Sequence, residues 1–300
     1  MVRAYAGCRA VNLLEHAKRE YRTHTEIKIT YDGELGERIP AYLLIPRTAP
    51  LRKFPAIFTA HQCAWACDLG KEQVVGKCVD WPDQAYGLEL VREGFVVIAP
   101  DANKVGERFD PNLRKQWQTA LELGNSQHAC CIADGGPWGS TRWKRIFDVS
   151  RGIDVLCQHP MVDADRIGMI GHSLGADTTL WVMPLEDRIK VGVISCGGLM
   201  GLARNYHGLP FIDLLHLIAP RPFFESVGNE DYPSICGEDK RNADPDERMK
   251  AKREAHEKAR GFYALFGKEQ HLELFEFDGG HQFPEPARKA AYVFLKRHLM

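Results

Sequence analysis

Gly171-His172-Ser173-Leu174-Gly175 is a G-x-S-x-G pentapeptide. Glycine and serine are common, so the five residues alone say little. Their setting says more. They follow the apolar run Arg166–His172 (RIGMIGH) and open the helical run Leu174–Met183. A serine on a sharp strand-to-helix turn stands clear of the sheet edge, and the helix N-terminus behind it favours developing negative charge. A serine hydroxyl becomes a useful nucleophile only when a base removes its proton. His281, in Phe277-Asp278-Gly279-Gly280-His281, closes the last apolar run and is the expected base. His271 is its rival, but it precedes that run and belongs at the opposite end of the strand. The acid that orients the imidazole is expected after Phe223–Gly228, where Asn229-Glu230-Asp231 follows; Asp231 is the first choice and Glu230 the second. Such a trio performs acyl transfer, with the acid stabilising the imidazolium that forms.

A tetrahedral oxyanion needs two backbone N–H donors. One is expected from Leu174, the other from Gln62 or Cys63 in the turn after Phe54–His61. Three further residues are counted as substrate contacts. Arg108, in Gly106-Glu107-Arg108, has the planar fork to clamp a carboxylate, with an ion pair to Asp101 or Glu107 as its competing role. Trp138, with Trp117 and Trp143, would line an apolar pocket or hold down a lid. His172 adjoins the nucleophile. Asp148, Arg151 and Asp154 recur every three residues and read as an ion-paired or solvated helix face. Cys63 with Cys67, and Cys130 with Cys131 near His128, lack the second half of a metal-ligand spacing, so no metal is expected.

These residues need elements to position them. Thr25–Asp32 and Arg38–Pro46 alternate apolar and polar residues around a Gly33–Gly36 turn, as an antiparallel pair does. The runs Phe54–His61, Phe95–Asp101, Arg166–His172, Ile189–Gly197, Phe223–Gly228 and Leu272–Asp278 are apolar enough for strands buried on both faces. Helical patterns separate them at Asp83–Arg92, Trp143–Gln158, Leu174–Met183, Asp246–Phe266 and Glu285–His298. Strand and helix in alternation predict an α/β fold: a mostly parallel, eight-stranded, doubly wound sheet flanked by helices. Residues 102–142 and 198–222 break the alternation, with a helical piece near Pro111–Leu123 in the first. Both leave the carboxyl edge of the sheet, where ligands bind in open α/β folds, and read as lid-like insertions. Residues 1–24 are expected to form an amphipathic helical extension, and residues 25–300 a single domain with these excursions. The extension offers a surface for a second copy, or packs on its own domain.

The 300 residues are 44% hydrophobic and 26% charged, with a net charge of −1, which points to a globular chain and away from nucleic acid or anionic membranes as partners. The N-terminus has no apolar signal region, so a cytoplasmic protein is expected. The nine cysteines are unevenly spaced and read as free thiols of a reducing compartment.

Residues 25 to 298 resemble the α/β-hydrolase superfamily, most of all its dienelactone hydrolase and acetyl xylan esterase-like branch. The likeness rests on the chain order Ser173, Asp231, His281 and on three local patterns: His159-Pro160-Met161-Val162-Asp163-Ala164-Asp165-Arg166-Ile167-Gly168 before the serine turn, Ala219-Pro220-Arg221-Pro222 before the acid strand, and the Gly106-Glu107-Arg108 loop. It implies the α/β-hydrolase fold and a serine esterase that uses no cofactor and acts on a small-molecule ester. Dienelactone hydrolases proper use a cysteine where Ser173 stands, which favours ordinary ester hydrolysis. Many relatives carry His-Gly where this chain has His61-Gln62. An amide or peptide hydrolase or an acyltransferase using the same trio is the alternative, and a binding protein on the same fold is a third reading.

Overall fold

The computed structural model describes residues 8–47, 53–63, 68–110, 141–197, 211–231 and 244–300, with Asn112, Lys115, Gln118, Thr119 and Glu122 between them. Nine strands form one sheet: β1 (Leu14–Glu20), β2 (His24–Asp32), β3 (Arg38–Pro46), β4 (Phe54–Ala60), β5 (Val96–Pro100), β6 (Val162–His172), β7 (Ile189–Ser195), β8 (Phe223–Gly228) and β9 (Leu272–Phe277). Their order is β1-β2-β3-β5-β4-β6-β7-β8-β9. The β1–β2, β2–β3 and β3–β5 pairs are antiparallel, and every pair from β5 through β9 is parallel.

The expected strands are present, and β1 is an addition. Residues 14–20 (LEHAKRE) consist largely of good helix formers, yet they pair with β2 as an exposed edge strand. The helical extension is thereby corrected over this stretch. Ladder hydrogen bonds to the free side of β2 outweigh a weak helix propensity that has no buried face to support it.

Among the described residues the helices are α1 (Lys71–Val74), α2 (Tyr86–Arg92), α3 (Thr141–Gln158), α4 (Leu174–Val182), α5 (Phe211–Ile218), α6 (Pro245–Ala264) and α7 (Glu285–Leu299). They cover both faces of the sheet. One core joins Ile29, Tyr31 and Phe58 to Val149 and Ile153 of α3, Leu180 and Trp181 of α4, Leu215 of α5 and Tyr263 of α6. The other joins Leu44, Ile57 and Val97 to Tyr86 and Leu90 of α2 and Phe294 and Leu295 of α7. Strand β4 is buried along its whole length because successive residues feed opposite cores. Asp244 caps α6, its side chain accepting from the Asp246 N–H, with Pro245 in the first turn.

Helix α5 lies inside the stretch 198–222 that reads as irregular, and its Leu214, Leu215 and Ile218 are buried. Residues 198–210 and most of 111–140 lie outside the described residues; of the expected helical piece near Pro111–Leu123, Asn112, Lys115, Gln118, Thr119 and Glu122 are described, and each is helical. No helix among the described residues is long and apolar enough to cross a membrane.

The register aligns the carboxyl ends of the parallel strands. Ala60 faces Gly171, His172 faces Ser195, Ser195 faces Ser226 and Gly228 faces Phe277. Turns leaving these strands therefore meet along one edge.

Candidate active site

Ser173 occupies the turn between β6 and α4 with φ 54° and ψ −114°, a conformation L-residues rarely adopt. Such backbone costs about 1–3 kcal/mol and is held by its surroundings. Here Ser173 N–H donates to the Ser195 carbonyl at 3.0 Å, and the Ser173 carbonyl accepts from Asp177 N–H at 3.0 Å. The flanking glycines are dictated by close approach. A Cβ on Gly171 would lie 2.2 Å from the Gly175 carbonyl oxygen, and one on Gly175 would lie 1.9 Å from that of Ala60. Both obstacles are backbone, which cannot step aside, so the pentapeptide needs glycine at both positions.

Asp231 and His281 come from the turns after β8 and β9. His281 Nδ1 and Asp231 Oδ1 are 2.8 Å apart. A carboxylate only accepts, so Nδ1 carries a proton, and in the neutral ring Nε2 keeps a lone pair. The Asp231 side chain is 2% exposed and that of His281 15%, so the acid is shielded while the imidazole reaches solvent. Glu230, the second choice, is exposed, and its backbone N–H donates to the Gly279 carbonyl. His271 sits at the amino end of β9, its Nδ1 on the Pro220 carbonyl at 2.8 Å.

Asn229, which the sequence reading passed over, fastens the two turns together. Its N–H donates to the Phe277 carbonyl at 2.9 Å, its Nδ2 to Asp278 Oδ1 at 2.8 Å, and its Oδ1 accepts from Gly279 N–H at 3.0 Å. An asparagine directly after a strand was the available signal, since its short amide competes for local backbone groups.

The link between the halves runs through His172. Its ring lies 4.9 Å from that of His281 and stacks on Phe283 at 6.2 Å. Burial first, and the neighbouring His281 second, push His172 well below the ordinary histidine range, so it is a neutral platform beneath the base. His172 is fully buried, which corrects its place among the substrate contacts: it supports the site without reaching a ligand.

Leu174 begins α4, where the first helical N–H groups have no partner within the helix. The chain leaves β4 at His61, a buried residue whose Nδ1 meets the Gln62 carbonyl at 2.7 Å while Nε2 accepts from Ala102 N–H at 2.9 Å. Burial pushes His61 below its ordinary range, consistent with a neutral ring that donates at Nδ1. This clamp sets the backbone direction at Gln62 and Cys63.

Arg108 is not a free clamp. Its side chain is 4% exposed and pairs with Glu37 at 2.6 Å and Asp148 at 2.8 Å, and it donates to the Asp101 carbonyl at 3.0 Å. Its expected role as a substrate contact is corrected on that geometry, and so are its expected ion-pair partners. Asp101 and Glu107 are bound instead by Lys71 Nζ, each at 2.6 Å. Glu37 and Arg108 are 71 positions apart, which no local pattern reveals. Trp143 is 59% exposed; Trp117 and Trp138 lie outside the described residues. Asp148, Arg151 and Asp154 are all ion-paired, as expected of a charged helix face: Asp148 with Arg108 and Lys144, Arg151 with Asp154.

Cys196, at φ 50° after β7, brings its sulfur within 4.8 Å of ligand atoms of Asp231 and His281. Burial pushes the thiol far above its ordinary range and the nearby Asp231 adds to this. A metal would need the thiolate, so this trio could hold an ion only against that burial. The thiol donates to the Gln282 carbonyl at 3.2 Å.

With this geometry described, comparisons with known proteins place the architecture. Solved structures align over nearly the whole chain: Methylesterase BT1017 with a TM-score of 0.63 at 15% identity, covering 97% of this chain and 58% of that one, and a glucuronoyl esterase from Solibacter usitatus with a TM-score of 0.66 at 12% identity, covering 99% and 88%. The chain has the α/β-hydrolase fold. In sequence it is similar to "Putative hydrolase YtaP" of Bacillus subtilis, 26% identical over 239 residues, 74% of each chain. It is also similar to Dipeptidyl-peptidase 5 of Porphyromonas gingivalis, 25% identical over 223 residues, 69% of this chain and 28% of the peptidase. The chain thus spans 58% of the methylesterase and less than a third of the peptidase. No family model matches it. In this α/β-hydrolase fold, Ser173, Asp231 and His281 come from the ends of β6, β8 and β9, three turns on one edge of the sheet.

Proposed function

We propose that this protein is a serine hydrolase that cleaves carboxylic esters, with Ser173 as nucleophile, His281 as base and Asp231 as the orienting acid. The observation that carries the reading is the 2.8 Å Asp231–His281 pair whose imidazole packs on His172, the residue before the strained Ser173. Neighbours of the same fold that bear esterase names support it.

His281 Nε2 takes the Ser173 proton as Oγ attacks the ester carbonyl carbon. Leu174 N–H and an N–H of Gln62 or Cys63 hold the resulting oxyanion. The C–O bond to the alcohol breaks as His281 returns the proton to the leaving oxygen. Water then attacks the acyl-enzyme by the same route, releasing the acid and restoring Ser173. Each step uses side chains and backbone of the chain alone, and the substrate is a small-molecule ester.

The test is hydrolysis of p-nitrophenyl acetate, butyrate and octanoate by wild type and Ser173→Ala. Replacing the nucleophile should lower kcat by about four to six orders of magnitude. Turnover retained in Ser173→Ala would refute the assignment. The sequence likeness to a dipeptidyl peptidase keeps a second reading in view, amide cleavage by the same trio. Chromogenic dipeptide amides turned over faster than the esters would select it.

A further inference from the structure

The chain ahead of β1 is laid along the last turns of helix α3. Arg9 N–H donates to Asp154 Oδ1 at 3.1 Å, and the Arg9 carbonyl accepts from Gln158 Nε2 at 2.5 Å. Arg151 Nη2 donates to the Ala10 carbonyl at 3.0 Å. Val11 and Leu13 then pack against the core that α3 helps to form, and Cys157 packs against the same core. The end of α3 leads into the amino end of β6, whereas Ser173 follows the carboxyl end of that strand. This contact therefore lies at the edge of the sheet opposite the serine turn.

Residues three and four apart share a helix face, so Asp154, Cys157 and Gln158 lie together on α3. Arg9 is fastened to the first and the last of them, which sets its neighbour Cys8 over Cys157. Cys8 is exposed, Cys157 is half-buried, and both are free thiols. Burial pushes the Cys157 thiol up to about 12, and a hydrogen bond with the Cys8 thiol adds to that. At neutral pH Cys157 therefore keeps its proton, and solvent reaches Cys8 first. An open thiol in contact with a sheltered one is the arrangement of an oxidisable cysteine with a resolving partner.

We propose that Cys8 and Cys157 form a reversible disulfide under a peroxide oxidant, latching the segment before β1 to helix α3. The Cys8 sulfur takes one peroxide oxygen as the O–O bond breaks, giving a sulfenic acid and a water. The Cys157 sulfur then attacks the Cys8 sulfur. The S–O bond breaks, and the leaving hydroxide takes the Cys157 proton as a second water. Together the two thiols lose two electrons and two protons to one peroxide. A dithiol restores both by exchange. The bond closes a long loop that runs from β1 through β5 to α3, so it constrains the unfolded chain strongly. The latch stands apart from the ester chemistry at the other edge of the sheet and does not depend on it.

Mass spectrometry tests the latch without needing turnover. The full chain is treated with hydrogen peroxide, remaining thiols are blocked with iodoacetamide, and unreduced digests are mapped. Wild type should yield a peptide pair joined through Cys8 and Cys157, two hydrogens lighter than its separate parts and lost on adding dithiothreitol. Cys157→Ser should leave Cys8 as a sulfenic acid that dimedone traps, and Cys8→Ser should leave Cys157 as a free thiol. Oxidised wild type should melt several degrees above its reduced form, a shift that Cys8→Ser loses. Cys8 driven to the sulfinic acid without cross-linking overturns the latch on wild type alone. Cys8 joined to any cysteine other than Cys157, or to a second copy of the chain, does the same. So does a Cys8–Cys157 form that melts no higher than the reduced protein.

Discussion

Strand β8 and the turn after it carry two carboxylate–imidazole pairs of nearly the same length. Glu225 Oε2 lies 2.7 Å from His256 Nε2, and Asp231 Oδ1 lies 2.8 Å from His281 Nδ1. Their surroundings differ. Glu225 points from mid-strand into the interior, where Lys252 of α6 supplies a second partner, and the side chains are 0%, 3% and 0% exposed for Glu225, His256 and Lys252. Asp231 lies past the strand end, and its imidazole keeps 15% of its surface open beside the serine turn. A short carboxylate–imidazole contact therefore does not mark a site. What separates the two is whether the imidazole still faces a place where a substrate can sit. The interior trio ties helix α6 to β8, and the edge pair is available for chemistry.

The largest effect that would break this contrast concerns the edge pair. Asp231→Asn should lower kcat for p-nitrophenyl butyrate by about four orders of magnitude, through the wrong tautomer of His281, while the unfolding midpoint hardly moves. A large stability loss with turnover intact would show that Asp231 belongs with the structural trio. The converse applies to Lys252→Met, which leaves Glu225 buried without its ammonium. It should destabilise by about 3–5 kcal/mol in urea titration, with turnover of the folded fraction unchanged within about twofold. Loss of activity at unaltered stability would move the interior trio into the catalytic machinery.

A smaller, pH-dependent effect sharpens the comparison. Burial works to raise Glu225, but Lys252 and His256 overcome it and hold the carboxyl below its ordinary 4.5. A carboxyl depressed in the folded state contributes stability above its unfolded pKa and loses it as pH falls through the folded value. The stability difference between wild type and Glu225→Gln should be full at about pH 7 and shrink below about pH 4.5. Urea titrations across that range measure it, and a difference that grows on acidification would overturn the account.

Legibility in the sequence followed the range of the interaction concerned. Buried strands such as Phe54–Ala60 and the serine turn showed in local periodicity and glycine placement, because backbone sterics act within a few residues. Residues 14–20 misled for the opposite reason: their strand state depends on the free edge of β2, which is a property of the assembled sheet. Helix α5 has an apolar face of its own, but glycine, histidine and proline around it disguised the stretch as irregular. Arg108 was placed with its neighbours Asp101 and Glu107, whereas the fold gives it Glu37 and Asp148 and gives those two carboxylates to Lys71.

The amino-acid sequence by itself determined the alternation of strands and helices, the glycine-bounded turn at Ser173 and the positions of Asp231 and His281 after their strands. Each of these is written in residues adjacent along the chain. Only the tertiary structure decided that Asp231 and not Glu230 meets His281, that His172 is a buried platform, and that Arg108 pairs with Glu37 and Asp148. Charge pairing and burial depend on which distant segments the sheet order brings together, and the energy of a buried charge is set by those neighbours.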